Sequence, residues 1–214
     1  MSWGKNERDE PRGYHHGNLR EALILAALEL IAKMGAAGCT FAEAARFAGV
    51  SPAAPYRHFR DRDELMASVA LRGFEQFAAA LARAWDDGRP DPLAALDRLG
   101  KAYLEFARTQ PAFYSAMFEA GVPAGADPAL RDVGERAFAV LRGAAERLCA
   151  MAPAAARPPA LMVALHIWAM AHGTASLFGR GDGAQRTLPI APAELLEAQV
   201  LVYLRGLGVG ATRT

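Results

Sequence analysis

Between positions 51 and 62 the chain reads SPAAPYRHFRDR. Tyr56, Arg57, His58, Arg60 and Arg62 bring hydrogen-bond donors into one short stretch. Donors of this kind suit phosphate oxygens, and the guanidinium of Arg57 also matches the acceptor edge of a guanine. Ahead of them stand Ser51, Pro52, Ala53, Ala54 and Pro55. Their small apolar surfaces can meet a thymine methyl, but Pro52, Ala53, Ala54 and Pro55 carry no bidentate donor. The chemistry on offer is contact with a nucleic-acid backbone and little direct reading of bases.

The preceding residues are those that would position such a cluster. Thr40 caps a short helix, with Glu43 three residues later able to return a bond to the Thr40 amide. Ala44, Ala45 and Ala48 keep one face small, and Arg46 stands on the same helix. Gly49 can take positive φ at the helix end. Val50 then turns into the core, Ser51 caps a second short helix and Pro52 takes its first position. That helix ends near Phe59, and Pro55 removes one of its hydrogen bonds. The punctuation is that of a helix-turn-helix; an ordinary αα-corner with a solvated basic end has the same shape.

The stretch TFAEAARFAGVSPAAPYRHFRDRDEL resembles the DNA-binding signature of the TetR family of bacterial transcriptional regulators. Thr40, Ala45, Ala48, Gly49, Val50, Ser51, Tyr56, Phe59, Arg62, Asp63, Glu64 and Leu65 carry the resemblance. Two positions depart from it. Ala44 replaces a larger aliphatic, so the space behind the turn is either looser or filled by Phe47. Ala42 replaces a DNA-contacting arginine, so the first helix contributes little to base reading. The resemblance implies double-stranded operator DNA as partner, met by Thr40, Arg46, Ser51, Pro52, Ala53, Ala54, Tyr56, Arg57, His58 and Arg62.

Composition is compatible with this. The 214 residues are 52% apolar and 22% charged with a net charge of +1, so any affinity for DNA must be local. From Pro11 to Arg62 seven basic side chains face four acidic ones, an excess of +3. Abundant alanine and few β-branched runs imply an all-α chain. Cys39 and Cys149 lack metal-ligand spacing, so no metal or cofactor is expected, and lone thiols suit a reducing cytoplasm.

In order, residues 1–17 form an N-terminal arm without periodicity, 18–62 a three-helix head, and 63–214 a helical body. Asn18 caps a first helix whose apolar stripe runs Leu19, Leu23, Ala27, Leu30, Ile31, Met34. Asp61 and Glu64 make a second capping box for a helix over 62–85, which the resemblance implies to be the link from head to body. Asp91-Pro92 and Asp127-Pro128 each read as N-cap and first helical residue, giving helices over 92–109, 111–119 and 128–150. Tyr103, Phe106, Phe113, Met117 and Phe118 are ordinary core or, taken together, the wall of an apolar ligand cavity.

Residues 158–179 carry no charge over 22 positions, long enough for a bilayer. Histidines, glycine and hydroxyls within them favour a buried or interfacial helix instead. Trp168, His172 and Gly173 form W-x-x-x-H-G, which resembles the Trp-His-Gly motif of one TetR-type C-terminal domain. Trp168 and His172 share a face and join the ligand candidates; a satisfied core histidine is the plainer role for His172. A last helix over 192–207 is expected to pair with the 160–179 helix against a twofold mate, making a homodimer. His166, His172, Tyr103 and Glu119 are the scattered candidates for an enzyme, without a recognisable catalytic spacing. The resulting expectation is a cytoplasmic one-component repressor released by an unidentified small apolar effector. The competing expectation is a helical small-molecule binder or enzyme with a vestigial head.

Overall fold

The computed structural model describes residues 19–123, 127–154, 157–179 and 189–209. Asn18, the arm before it and most of the GRGDGAQR loop lie outside them. Among the described residues the chain is all α: α1 (Leu19–Gly38), α2 (Phe41–Phe47), α3 (Arg62–Trp85), α4 (Pro92–Thr109), α5 (Pro111–Phe118), α6 (Pro128–Ala150), α7 (Ala160–Phe178) and α8 (Pro192–Gly206). Short 3-10 turns occupy Pro55–Arg57 and Asp86–Gly88.

Local chemistry sets these boundaries. The Asp91 carboxylate accepts from the Leu93 and Ala94 amides at 3.0 Å each, and Asp127 from Ala129 at 2.8 Å. Thr40 and Asp61 accept from the amides of Glu43 and Glu64 at 3.2 and 2.9 Å. Neither return bond reaches the expected cap amide. The Glu43 carboxylate is taken by Arg46, and Glu64 accepts from the Arg60 amide at 2.7 Å. Gly35, at φ 77°, breaks α1 where its apolar stripe ends; beside that break Met34 is half exposed rather than core.

The expected second helix of the head is only a turn. The Ala54 amide donates to Ser51 O, and the 3-10 turn that starts at Ala54 has no side-chain cap. Pro55 removes a ladder bond from a segment only one turn long, and the segment closes as a turn and a single 3-10 turn instead. Pro55 is nevertheless buried, which pins the turn to the head. Nor does Phe47 fill the space behind Ala44: it is 47% exposed under Lys33, whose ammonium lies 4.7 Å from the ring centroid. Ala44 is itself fully enclosed in the head core with Phe41, Ala48 and Phe59.

Two apolar cores result. One joins α1, α2 and the first half of α3 to α5; the other joins the second half of α3 to α4, α6, α7 and α8. Phe74, Phe113 and Met117 pack against both. Gly73 lets α5 come close, since a Cβ there would stand 2.7 Å from the Met117 sulfur. The Arg72 guanidinium grips the Glu21 carboxylate with two bonds, and Arg20 donates to Ser68 at 2.9 Å. Through α3 and α5, head and body are continuous. The helix α7 is apolar and long enough to cross a membrane. Its Val163, Ala164, Ile167, Ala171, Thr174 and Ala175 are instead buried within the bundle.

Candidate DNA-facing surface and effector cavity

In the head, Ser51, Pro52, Ala53, Tyr56, Arg57 and His58 are all exposed on the turn between α2 and α3, with Ala54 partly covered. Tyr56 is 64% exposed, its ring held edge-on to Phe41 with centroids 5.0 Å apart. That contact holds the phenol outward. Thr40 is exposed at the start of α2, and Arg46 is exposed but paired with Glu43.

Arg62 differs. Its Nε donates to the Cys39 carbonyl at 2.7 Å and its Nη2 to the Ala36 carbonyl at 2.6 Å. A guanidinium placed this way adds bonds to the Ala36 carbonyl, which also accepts from the Cys39 amide, and to the Cys39 carbonyl, and ties both to the start of α3. Burial in the same corner pushes the Cys39 thiol up to about 11, only partly opposed by Arg62.

In the body, α3, α4, α5, α6, α7 and α8 line a partly open cavity of about 600 Å³. Tyr103, Phe118 and Trp168 line it together with Phe74, Phe77 and Phe138. Three other expected wall residues are placed differently. Phe106 is buried against Phe77, centroids 5.0 Å apart, while Phe113 and Met117 pack at the α3–α5 contact beside Gly73. Counting aromatics along a helix does not reveal which side of it a cavity will occupy.

His172 stands behind the cavity wall. Its Nδ1 lies 3.0 Å from the Tyr103 hydroxyl and 2.8 Å from the Tyr114 hydroxyl. The ring stacks on Tyr114 at 5.7 Å and meets Phe118 edge-on at 5.0 Å. Burial pushes His172 below its usual value, against a small opposing pull from Glu119. Burial pushes both phenols up, with the neighbouring Tyr114 adding to the effect on Tyr103. All three groups are therefore neutral near pH 7, so their contact is a hydrogen-bonded one and not an ion pair.

Tyr114 belongs to the same set of aromatics in the sequence as Tyr103 and Phe118, but its spacing does not single it out as a site member. Its hydroxyl on an otherwise apolar helix was the available signal, since a buried phenol needs a partner. Tyr114, Ser115 and Glu119 line a second hollow, of about 1110 Å³, which reaches Met34 and Gly35 at the end of α1. The Tyr103–His172–Tyr114 contact thus stands between the two hollows. Glu119 bonds Ser115 at 2.6 Å, and His166 bonds Tyr203 at 2.9 Å, joining α7 to α8. The four residues weighed for catalysis do not converge on one point.

Comparison with known proteins follows the same division of the chain. A family model described as bacterial regulatory proteins of the tetR family matches residues 23–69. A second, described as tetracyclin repressor-like, C-terminal domain, matches residues 96–203. A search of curated proteins returned no match. Among solved structures, a protein of unknown function from Rhodococcus sp. RHA1 is 29% identical, covering 92% of this chain and 98% of that one at a TM-score of 0.73. The TetR family transcriptional regulator PfmR from Thermus thermophilus is 20% identical over 89% of this chain and 99% of its own, TM-score 0.65. A TetR-family transcriptional regulator from Bordetella parapertussis 12822 is 17% identical over 88% and 95%, TM-score 0.63.

Proposed function

The chain belongs to the TetR family of DNA-binding transcriptional regulators, and from that premise we propose that it is a homodimeric cytoplasmic repressor released by a small apolar effector. The head, residues 18–62, docks its turn in the major groove. Tyr56, Arg57, His58 and Arg46 meet phosphates, Thr40 and Ser51 add hydroxyl contacts, and Pro52, Ala53 and Ala54 lie against base edges. Arg62 acts indirectly by tying the start of α3 to the α1–α2 junction. The observation that carries this reading is the exposure of Tyr56, Arg57 and His58 together on one buried-proline turn.

The body, residues 63–214, binds the effector and the second copy. We assign it to the Trp-His-Gly type, since Trp168 and His172 share one face, with ring centroids 6.0 Å apart. Gly173 is exposed on α7 with open space beside it, which leaves room for a partner helix. Leu161, Met162, Leu165 and Leu177 of α7 and Leu201 and Val202 of α8 are exposed apolar residues that a twofold mate would cover. Effector binding favours a dimer whose heads no longer match the spacing of two half-sites, provided it binds the two states unequally.

The test is affinity for the protein's own upstream DNA over a salt series. Arg57→Ala and Tyr56→Ala should each weaken binding, and Arg57→Ala should reduce the salt slope by about one. Unchanged affinity and slope in both variants would remove this turn from the DNA interface.

A further inference from the structure

We propose that the body cavity selects a lipophilic cation, meaning an apolar aromatic body bearing one positive charge, over an anionic amphiphile. The inference rests on the cavity being the effector site and concerns which chemistry it admits. The charged residues lining it are Asp97, Glu135, Glu197 and Lys101. Three carboxylates face one ammonium, a net charge of −2 among the described residues. The ammonium is already engaged: Lys101 donates to Asp97 at 2.6 Å, and Glu197 adds to the field that raises its pKa. Glu135 and Glu197 form no ion pair among the described residues.

The interior offers an anion nothing better. Tyr103 is a neutral phenol and His172, behind it, is a neutral imidazole. A carboxylate or sulfate carried inside would lose its water without meeting a cation, which is costly. A cation meets the opposite situation. Phe77, Phe118, Phe138 and Trp168 present aromatic rings whose faces attract positive charge. The two glutamates are exposed at the rim of the cavity and supply a field of the right sign at its mouth, reduced there by solvent screening. Tyr103 can additionally accept or donate one hydrogen bond to a polar group on the ligand.

Tetraphenylphosphonium and tetraphenylborate share shape and apolar area and differ in the sign of the charge. Calorimetric titration of the full-length protein with each separates charge from hydrophobicity. Wild type should bind the phosphonium at least about tenfold more tightly than the borate. Glu135→Gln combined with Glu197→Gln should narrow that gap, and Phe138→Ala should weaken both ions by removing cavity wall. Borate binding equal to or tighter than phosphonium, with Phe138→Ala weakening both, would overturn the charge selection while leaving the cavity as a ligand site. A gap unchanged by the double substitution would also overturn it. Failure of both ions to bind would overturn the proposal and the cavity reading together.

Discussion

A single imidazole nitrogen with two phenol neighbours gives the body a residue-scale signature. His172 holds Tyr103 of α4 and Tyr114 of α5 against α7, and all three groups are largely enclosed. His172→Phe keeps a ring but removes the nitrogen both phenols share, leaving them each other with Trp168 and Ser176 nearby, so it should cost about 1 kcal/mol in denaturant unfolding. Its pH dependence has a definite sign. The folded value of His172 lies below 6.5, so the unfolded chain takes up the proton first as the pH falls. Stability is then fully present above about pH 6.5 and declines below it, levelling off only once the folded-state value is passed. Unfolding curves of wild type and His172→Phe from pH 7.5 to 5 should show that decline reduced in the variant. The W-x-x-x-H spacing made the Trp168–His172 pair legible. The tyrosines were not, because their meeting depends on packing between helices 58 and 69 positions away in sequence.

At the level of elements, the N-caps can be read locally and are present, whereas the return bonds of the two capping boxes are diverted to Arg46 and to the Arg60 amide. Asp91, Asp127, Thr40 and Asp61 cap helices because each carboxylate or hydroxyl reaches an amide two or three residues on, a geometry contained in the sequence itself. The second element of the head reads as a helix in the sequence, yet Pro55, which removes one of its few ladder bonds, leaves it a turn. The buried Pro55 holds that turn to the head, and beside it the end of α1 is tied to the start of α3. Arg62 supplies two charge-assisted bonds to carbonyls at and just past the end of α1 from a side chain 30% exposed, so screening reduces their worth. Arg62→Ala should lower head stability by about 1 kcal/mol. DNA binding should weaken with an unchanged salt slope, unlike Arg57→Ala, whose charge lies on the exposed turn. A reduced slope for Arg62→Ala in the same DNA titration would place its guanidinium on a phosphate instead.

For the whole molecule, the distribution of apolar surface sets the expectation. The described helices bury two cores, but α7 and α8 leave Met162 50% and Val202 72% exposed. An apolar helix with one uncovered face has two physical outlets, a bilayer or another protein surface. The packing of its other face into α4, α6 and α8 favours the second. Met162→Asp with Val202→Asp should give a monomer by sedimentation at concentrations where wild type is a dimer, with helical content unchanged by circular dichroism. Composition alone placed this helix as buried or interfacial; its two faces separate only once the neighbouring helices are in place. The monomer should also lose most of its affinity for a two-half-site operator, because each copy then binds one half-site without the other's help.

The most direct measurement of the central claim is footprinting of the wild-type protein on its own upstream DNA across a salt series. A dimeric regulator should protect two half-sites centred about 34–36 Å apart, with affinity falling steeply as salt rises. Salt-steep binding without a discrete protected site would make the head a general DNA-binding element. Absence of binding there and on pooled genomic fragments would contradict the account.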